Sequence, residues 1–83
     1  MNIKYLPRWK EMLDGIYGEH RFTVEITMGI VHVYFPTEET WEKDAPAWAR
    51  GLWPTAKEEA EQWCAGNSTP FEIHPTAWVQ FAA

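Results

Sequence analysis

The sequence predicts a single small α+β domain over residues 1–83, with two or three short helices packed on one face of a small antiparallel sheet built around a β-hairpin at residues 21–35. Three observations lead there: an alternating run from Arg21 to Phe35, two stretches of helical spacing with helix-start signals, and six tryptophans in 83 residues. About one or two tryptophans would be ordinary for this length. A chain this short buries only about 60–65% of the surface its unfolded form exposes, so its core is thin. Buried indoles, each removing roughly 200 Å² from water, offset that deficit where disulfides or metals do so in other small domains.

Taken in order, Trp9, Met12, Leu13 and Ile16 fall at i, i+3, i+4 and i+7. With Pro7 suited to a first helical position, residues 7–15 are expected to form an amphipathic helix ending near Gly15 or Gly18. The period then changes to two. Phe22, Val24 and Ile26 alternate with Arg21, Thr23, Glu25 and Thr27, the pattern of a half-buried strand, and Ile30 to Phe35 follows as a second strand. A two-residue Met28-Gly29 loop pairs Val24 with Val33 and Glu25 with His32. It sends Phe22, Val24, Ile26, Val31, Val33 and Phe35 inward and leaves Arg21, Thr23, Glu25, Thr27, Ile30, His32 and Tyr34 on the other face.

Residues 36–54 are rich in Pro, Ala and Trp and suggest a short helix with Asp44 as N-cap, Pro46 in its first turn and Trp48 above Leu52. Thr55 with Glu58 is a capping-box signature that opens a helix over residues 56–65, with Ala56, Ala60, Trp63 and Cys64 on one face and Gly66 at its end. Pro70 to His74 alternates as a short strand able to join the hairpin, and Trp78 to Phe81 is a fourth strand or a docked tail.

Charge is uneven. Lys4, Arg8 and Lys10 make the first ten residues positive, whereas all 12 acids lie in residues 11–83 against four bases, within a net charge of −5. Cys64 is the lone cysteine, and with no signal-peptide pattern it points to a reducing, cytoplasmic setting. No apolar run approaches the roughly 20 residues of a membrane-spanning helix.

Chemistry is scarce by comparison. His20, His32, His74 and Cys64 show no metal-ligand spacing, so no metal and no cofactor is expected. Cys64 lies on the apolar helix face and Ser68 is the only serine, which nearly empties nucleophilic catalysis, and no catalytic residue is assigned. Glu25 opposite His32 is the one acid/base pair the register produces, and it reads as a cross-strand electrostatic pair. The five glycines are scattered and form no phosphate-binding loop. Beyond residue 10 the surface is negative, against direct nucleic-acid binding.

Elimination leaves a non-enzymatic protein-binding module engaging a partner with a basic surface, such as a nucleic-acid-handling protein. Its partner-binding candidates are Glu38, Glu39, Trp41, Glu42, Asp44, Trp48, Trp53, Glu58, Glu59 and Glu61. The carboxylates steer, and the tryptophans either anchor the partner or close the open side of the sheet. In size, acidity and paucity of motifs the chain is similar to small inhibitors encoded by phages and mobile elements, such as anti-CRISPR proteins. That resemblance is one of composition, carries no residues across, and implies inhibition by protein contact. The alternative is a small accessory subunit of a larger cytosolic enzyme complex, its tryptophans packed into an obligate interface.

Overall fold

Strands open the chain. In the computed structural model, which describes residues 3–8, 11–27 and 30–82, β1 (Lys4–Arg8) pairs antiparallel with β2 (Met12–Tyr17), and β2 pairs antiparallel with β3 (His20–Thr27). The described residues of the helix expected over 7–15 therefore belong to β1 and β2 and to Glu11 just before β2. Trp9, which contributed to the helical spacing, lies outside the described residues. Of the rest, Leu13 faces the core, while Met12 and Ile16 project from the opposite side of the sheet, so a pattern with helical spacing is split between two faces. Pro7 sits in β1, an edge strand, where proline is tolerated. Glu11, just before β2, is left-handed at φ 64°, and no glycine or asparagine stands between the two strands in sequence. Gly18, at φ 61°, instead serves the two-residue turn that joins Tyr17 to His20.

β4 (His32–Phe35) follows β3 antiparallel, but its ladder pairs Ile26 with Val33 and Thr27 with His32. This is shifted by two residues from the expected register, and Met28 and Gly29 lie outside the described residues. A shift of two preserves every face. Phe22, Val24, Ile26, Val33 and Phe35 are all buried as expected, while Val31, left in the turn, is 40% exposed. The cause is competition for one edge. β6 (Val79–Phe81) pairs antiparallel with Phe22, Thr23 and Val24, occupying the part of β3 that the expected register assigned to β4.

β5 (Phe71–Ile73) joins β4 in parallel, so the sheet has six strands and is mixed, in the order β1-β2-β3-β4-β5 with β6 beside β3. The small antiparallel sheet of the sequence reading is thus extended by the N-terminal hairpin and by one parallel pair.

Between β4 and β5 lie α1 (Glu38–Asp44), a 3-10 turn at Ala47–Ala49 and α2 (Trp53–Gly66). Thr37 caps α1, its hydroxyl oxygen accepting from the Thr40 N–H at 3.2 Å. Asp44 ends this helix and does not cap a later one. α2 begins at Trp53, three residues earlier than expected, because Pro54 fits a first turn whose N–H groups need no intrahelical partner. Thr55 consequently lies inside the helix and does not act as its cap. Ala56, Ala60 and Cys64 are buried along one face. They close on the same core as Leu13, Phe22, Val24, Ile26, Val33 and Phe35, which puts both helices on the inner face of the sheet.

Trp41 is at the centre of that core. It is fully buried, meets Phe22 and Phe81 edge-on at ring-centroid distances of 4.9 and 5.0 Å, and donates Nε1–H to the Ala49 carbonyl at 2.8 Å.

Candidate functional site

The helical layer gathers the charged candidates. Residues 38–61 hold seven acids against Lys43, Arg50 and Lys57, all of them on the layer of two helices and a turn that covers the inner face of the sheet. Their surroundings differ. Glu42 accepts from the Gly51 N–H at 2.9 Å, Glu59 accepts from the Ile3 N–H at 2.6 Å, and Glu61 pairs with Lys57 at 2.7 Å. Of these, Glu59 ties α2 to the residue before β1 and Glu42 ties α1 to the turn, while the exposed Lys57–Glu61 pair adds little. Glu38, Glu39, Asp44 and Glu58 are exposed and have no hydrogen bond or ion pair with other described residues. Glu39 and Glu42 share a shallow depression of about 620 Å³ with Thr40 and Lys43 on α1.

The three tryptophan candidates part company. Trp41 is a core residue and has no surface to offer a partner. Trp53 is half-buried and tied by its Nε1–H to the Pro36 carbonyl at 2.9 Å. Trp48 is half-buried as well, lying parallel to the His20 imidazole at 4.6 Å and edge-on to Phe81 at 5.9 Å. The residue types alone could not separate these cases, because a large ring fits a core and an interface equally well.

The expected Glu25–His32 pair does not form. Register places Glu25 opposite Tyr34, and Tyr34 beside Glu72 on β5, so these three lie in one row on the outer face of the sheet. His32 turns to Glu72, with Nε2 3.4 Å from Oε1, and stacks on Tyr34 at 4.3 Å. Tyr34 and His74 meet edge to face at 6.0 Å. The His74 Nδ1 accepts from the Thr76 N–H at 3.2 Å and from its hydroxyl at 2.8 Å, which leaves the proton of the neutral ring on Nε2. Sequence reasoning missed this cluster because it depends on a parallel strand contributed from 38 residues beyond Tyr34.

Sequence reasoning also missed a buried polar group on that face. Asp14, only 5% exposed, accepts from Arg8 through Nε at 2.9 Å and Nη2 at 3.2 Å, and from the Thr23 hydroxyl at 2.7 Å. The donors balance the burial, so Asp14 is a structural carboxylate. Burial and the charge of Glu61 push the Cys64 thiol up to about 11, so it is a poor nucleophile where it sits. Among the described residues no three His, Cys, Asp or Glu side chains are arranged to hold a metal ion, and no helix is long and apolar enough to cross a membrane. No protein-family model matches the chain, and no curated protein or solved structure is significantly similar to it.

Proposed function

We propose that the domain is a non-enzymatic protein-binding module whose helical layer engages a basic protein in the cytoplasm, in the manner of a small inhibitor that occupies the nucleic-acid groove of its target. The observation that carries this reading is the segregation of seven carboxylates into one layer, with Glu38, Glu39, Asp44 and Glu58 exposed and unpaired among the described residues. Carboxylates already engaged in ion pairs contribute little to a long-range field. Free ones attract a basic surface and speed its approach. Trp48 and Trp53 are the ring candidates for an anchor beside them, since each keeps part of its surface in solvent.

The test uses a partner recovered from the host by affinity capture and then purified. Glu38→Lys combined with Glu39→Lys leaves the Gly51 and Ile3 contacts intact, so the domain should stay folded, its melting temperature lowered only by the ~0.3–1 kcal/mol per charge that acids in the first turn of α1 contribute. Association measured by surface plasmon resonance at two salt concentrations should slow about ten-fold or more at low salt and lose most of its salt dependence. Trp48→Ala should chiefly speed dissociation. Association unchanged by charge reversal reduces the carboxylates to solubilising surface and favours an accessory subunit held by apolar contacts.

A further inference from the structure

On the sheet face opposite the helices, Glu25, Thr27, Tyr34, His74, Thr76 and Ala77 line a shallow, open cleft of about 370 Å³. This is the low end of the roughly 300–1,000 Å³ typical of ligand pockets, a size that suits one side chain. Glu25 is half-buried and has no hydrogen bond or ion pair with the described residues. A carboxylate in that position gains from a cation brought to it. Tyr34 supplies an aromatic wall, with His32 covering one side of its ring. Thr27 spends its hydroxyl hydrogen on the Ile30 carbonyl and Thr76 spends its own on His74, so both hydroxyl oxygens still have acceptor capacity.

We propose that this cleft binds a guanidinium group, its charge held by Glu25 and its plane laid against the part of the Tyr34 ring that His32 leaves uncovered. Guanidinium fits better than ammonium for a geometric reason. It is planar, weakly hydrated and able to stack on an aromatic ring while its edge donates to a carboxylate and to hydroxyls, whereas ammonium is a compact, strongly hydrated point charge. An anion is opposed by Glu25 and Glu72, and a metal ion lacks a ligand set among the described residues. The site is independent of the helical carboxylates, because it lies on the other face of the sheet.

NMR titration of the whole domain tests it with three probes: methylguanidinium, Nα-acetyl-arginine methylamide, and the matching citrulline derivative, which keeps the shape and removes the charge. The guanidinium probes should move the resonances of Glu25, Tyr34 and His74 saturably, and citrulline should bind at least about ten-fold more weakly. Tighter binding of the arginine derivative than of methylguanidinium identifies a peptide side chain as the natural occupant. Equal affinity identifies a free guanidinium compound. Glu25→Gln, which breaks no described contact, should weaken binding by about ten-fold or more with little change in melting temperature. Citrulline binding as well as arginine, binding unaltered in Glu25→Gln, or shifts confined to the carboxylates of α1 and α2 would each overturn the assignment. The citrulline comparison is made on the unaltered protein and decides even if the variant folds poorly.

Discussion

Gly15 is a position where a single hydrogen atom decides packing. It stands opposite Phe22 across β2 and β3, and a Cβ built there would run into the Phe22 ring. Gly15→Ala should therefore force that fully buried ring off its seat and cost about 1–3 kcal/mol, read as a lowered urea midpoint. Two other buried side chains set the alkaline limit of the domain. Burial and the charge of Glu61 carry the Cys64 thiol from 9.0 up to about 11, and burial, with Glu59 adding to it, raises the Tyr5 hydroxyl above its ordinary 10.0. Both values are raised on folding, so the folded chain keeps protons that the unfolded chain releases. The stability is complete below about pH 9 and falls as pH rises toward 11. Melting temperatures taken across that interval should decline, and Cys64→Ala should flatten the early part of the decline. A flat profile for the unaltered protein contradicts it.

Among the elements, alternation exposed the inward set of β3 and β4 but was blind to a shift of two, which leaves every side chain on its face. Only β6, whose Val79 lies 55 residues beyond its partner Val24, removes the ambiguity by occupying the edge at Phe22 to Val24. The N-terminal hairpin was illegible for a different reason. A left-handed glutamate stands where a turn signal would be glycine or asparagine, and the outer face mixes Leu6, Met12 and Ile16 with Asp14, so no clean period survives. α2 was legible in its buried stripe and not in its start, because a proline that ends one helix also opens another. Of the candidate site, sequence located the acidic residues but not that Glu59 and Glu42 are already engaged, since those contacts come from the backbone of Ile3 and Gly51, whereas Glu61 has its partner Lys57 one helical turn away. The same distinction governs Thr23, placed on an exposed face by alternation yet 6% exposed and bonded to Asp14. Thr23→Asp should set two carboxylates together and cost about 2 kcal/mol or more, whereas Thr23→Ser, which keeps the hydroxyl, should stay within about 1 kcal/mol. Equal denaturation midpoints for the two variants would contradict the network.

For the molecule as a whole, hydrophobic mass and most of the charge are layered on one side of the sheet, the core against its inner face and the acids on the helices that cover that core. The helices bring most of the acid, the inner sheet face brings the aromatic rings, and Trp41 joins them. That division is what lets the outer layer vary its charge without disturbing the core, and it underlies the expected tolerance of the Glu38 and Glu39 reversals. The shared edge of β3 carries a further consequence, for the order in which the domain is assembled. β6 follows every other element in the chain, yet its place is beside the middle strand, where it completes the ladder at Phe22 to Val24 and brings Phe81 onto Trp41. Until those residues arrive, the sheet has a slot in its interior edge with unpaired backbone groups and an uncovered indole below it. Folding thus cannot run to completion from the N-terminal end. A chain ending at Ala77 should stay loosely packed and bind hydrophobic dyes, and a synthetic peptide of residues 78–82 supplied in trans should fill the slot and restore a cooperative melt.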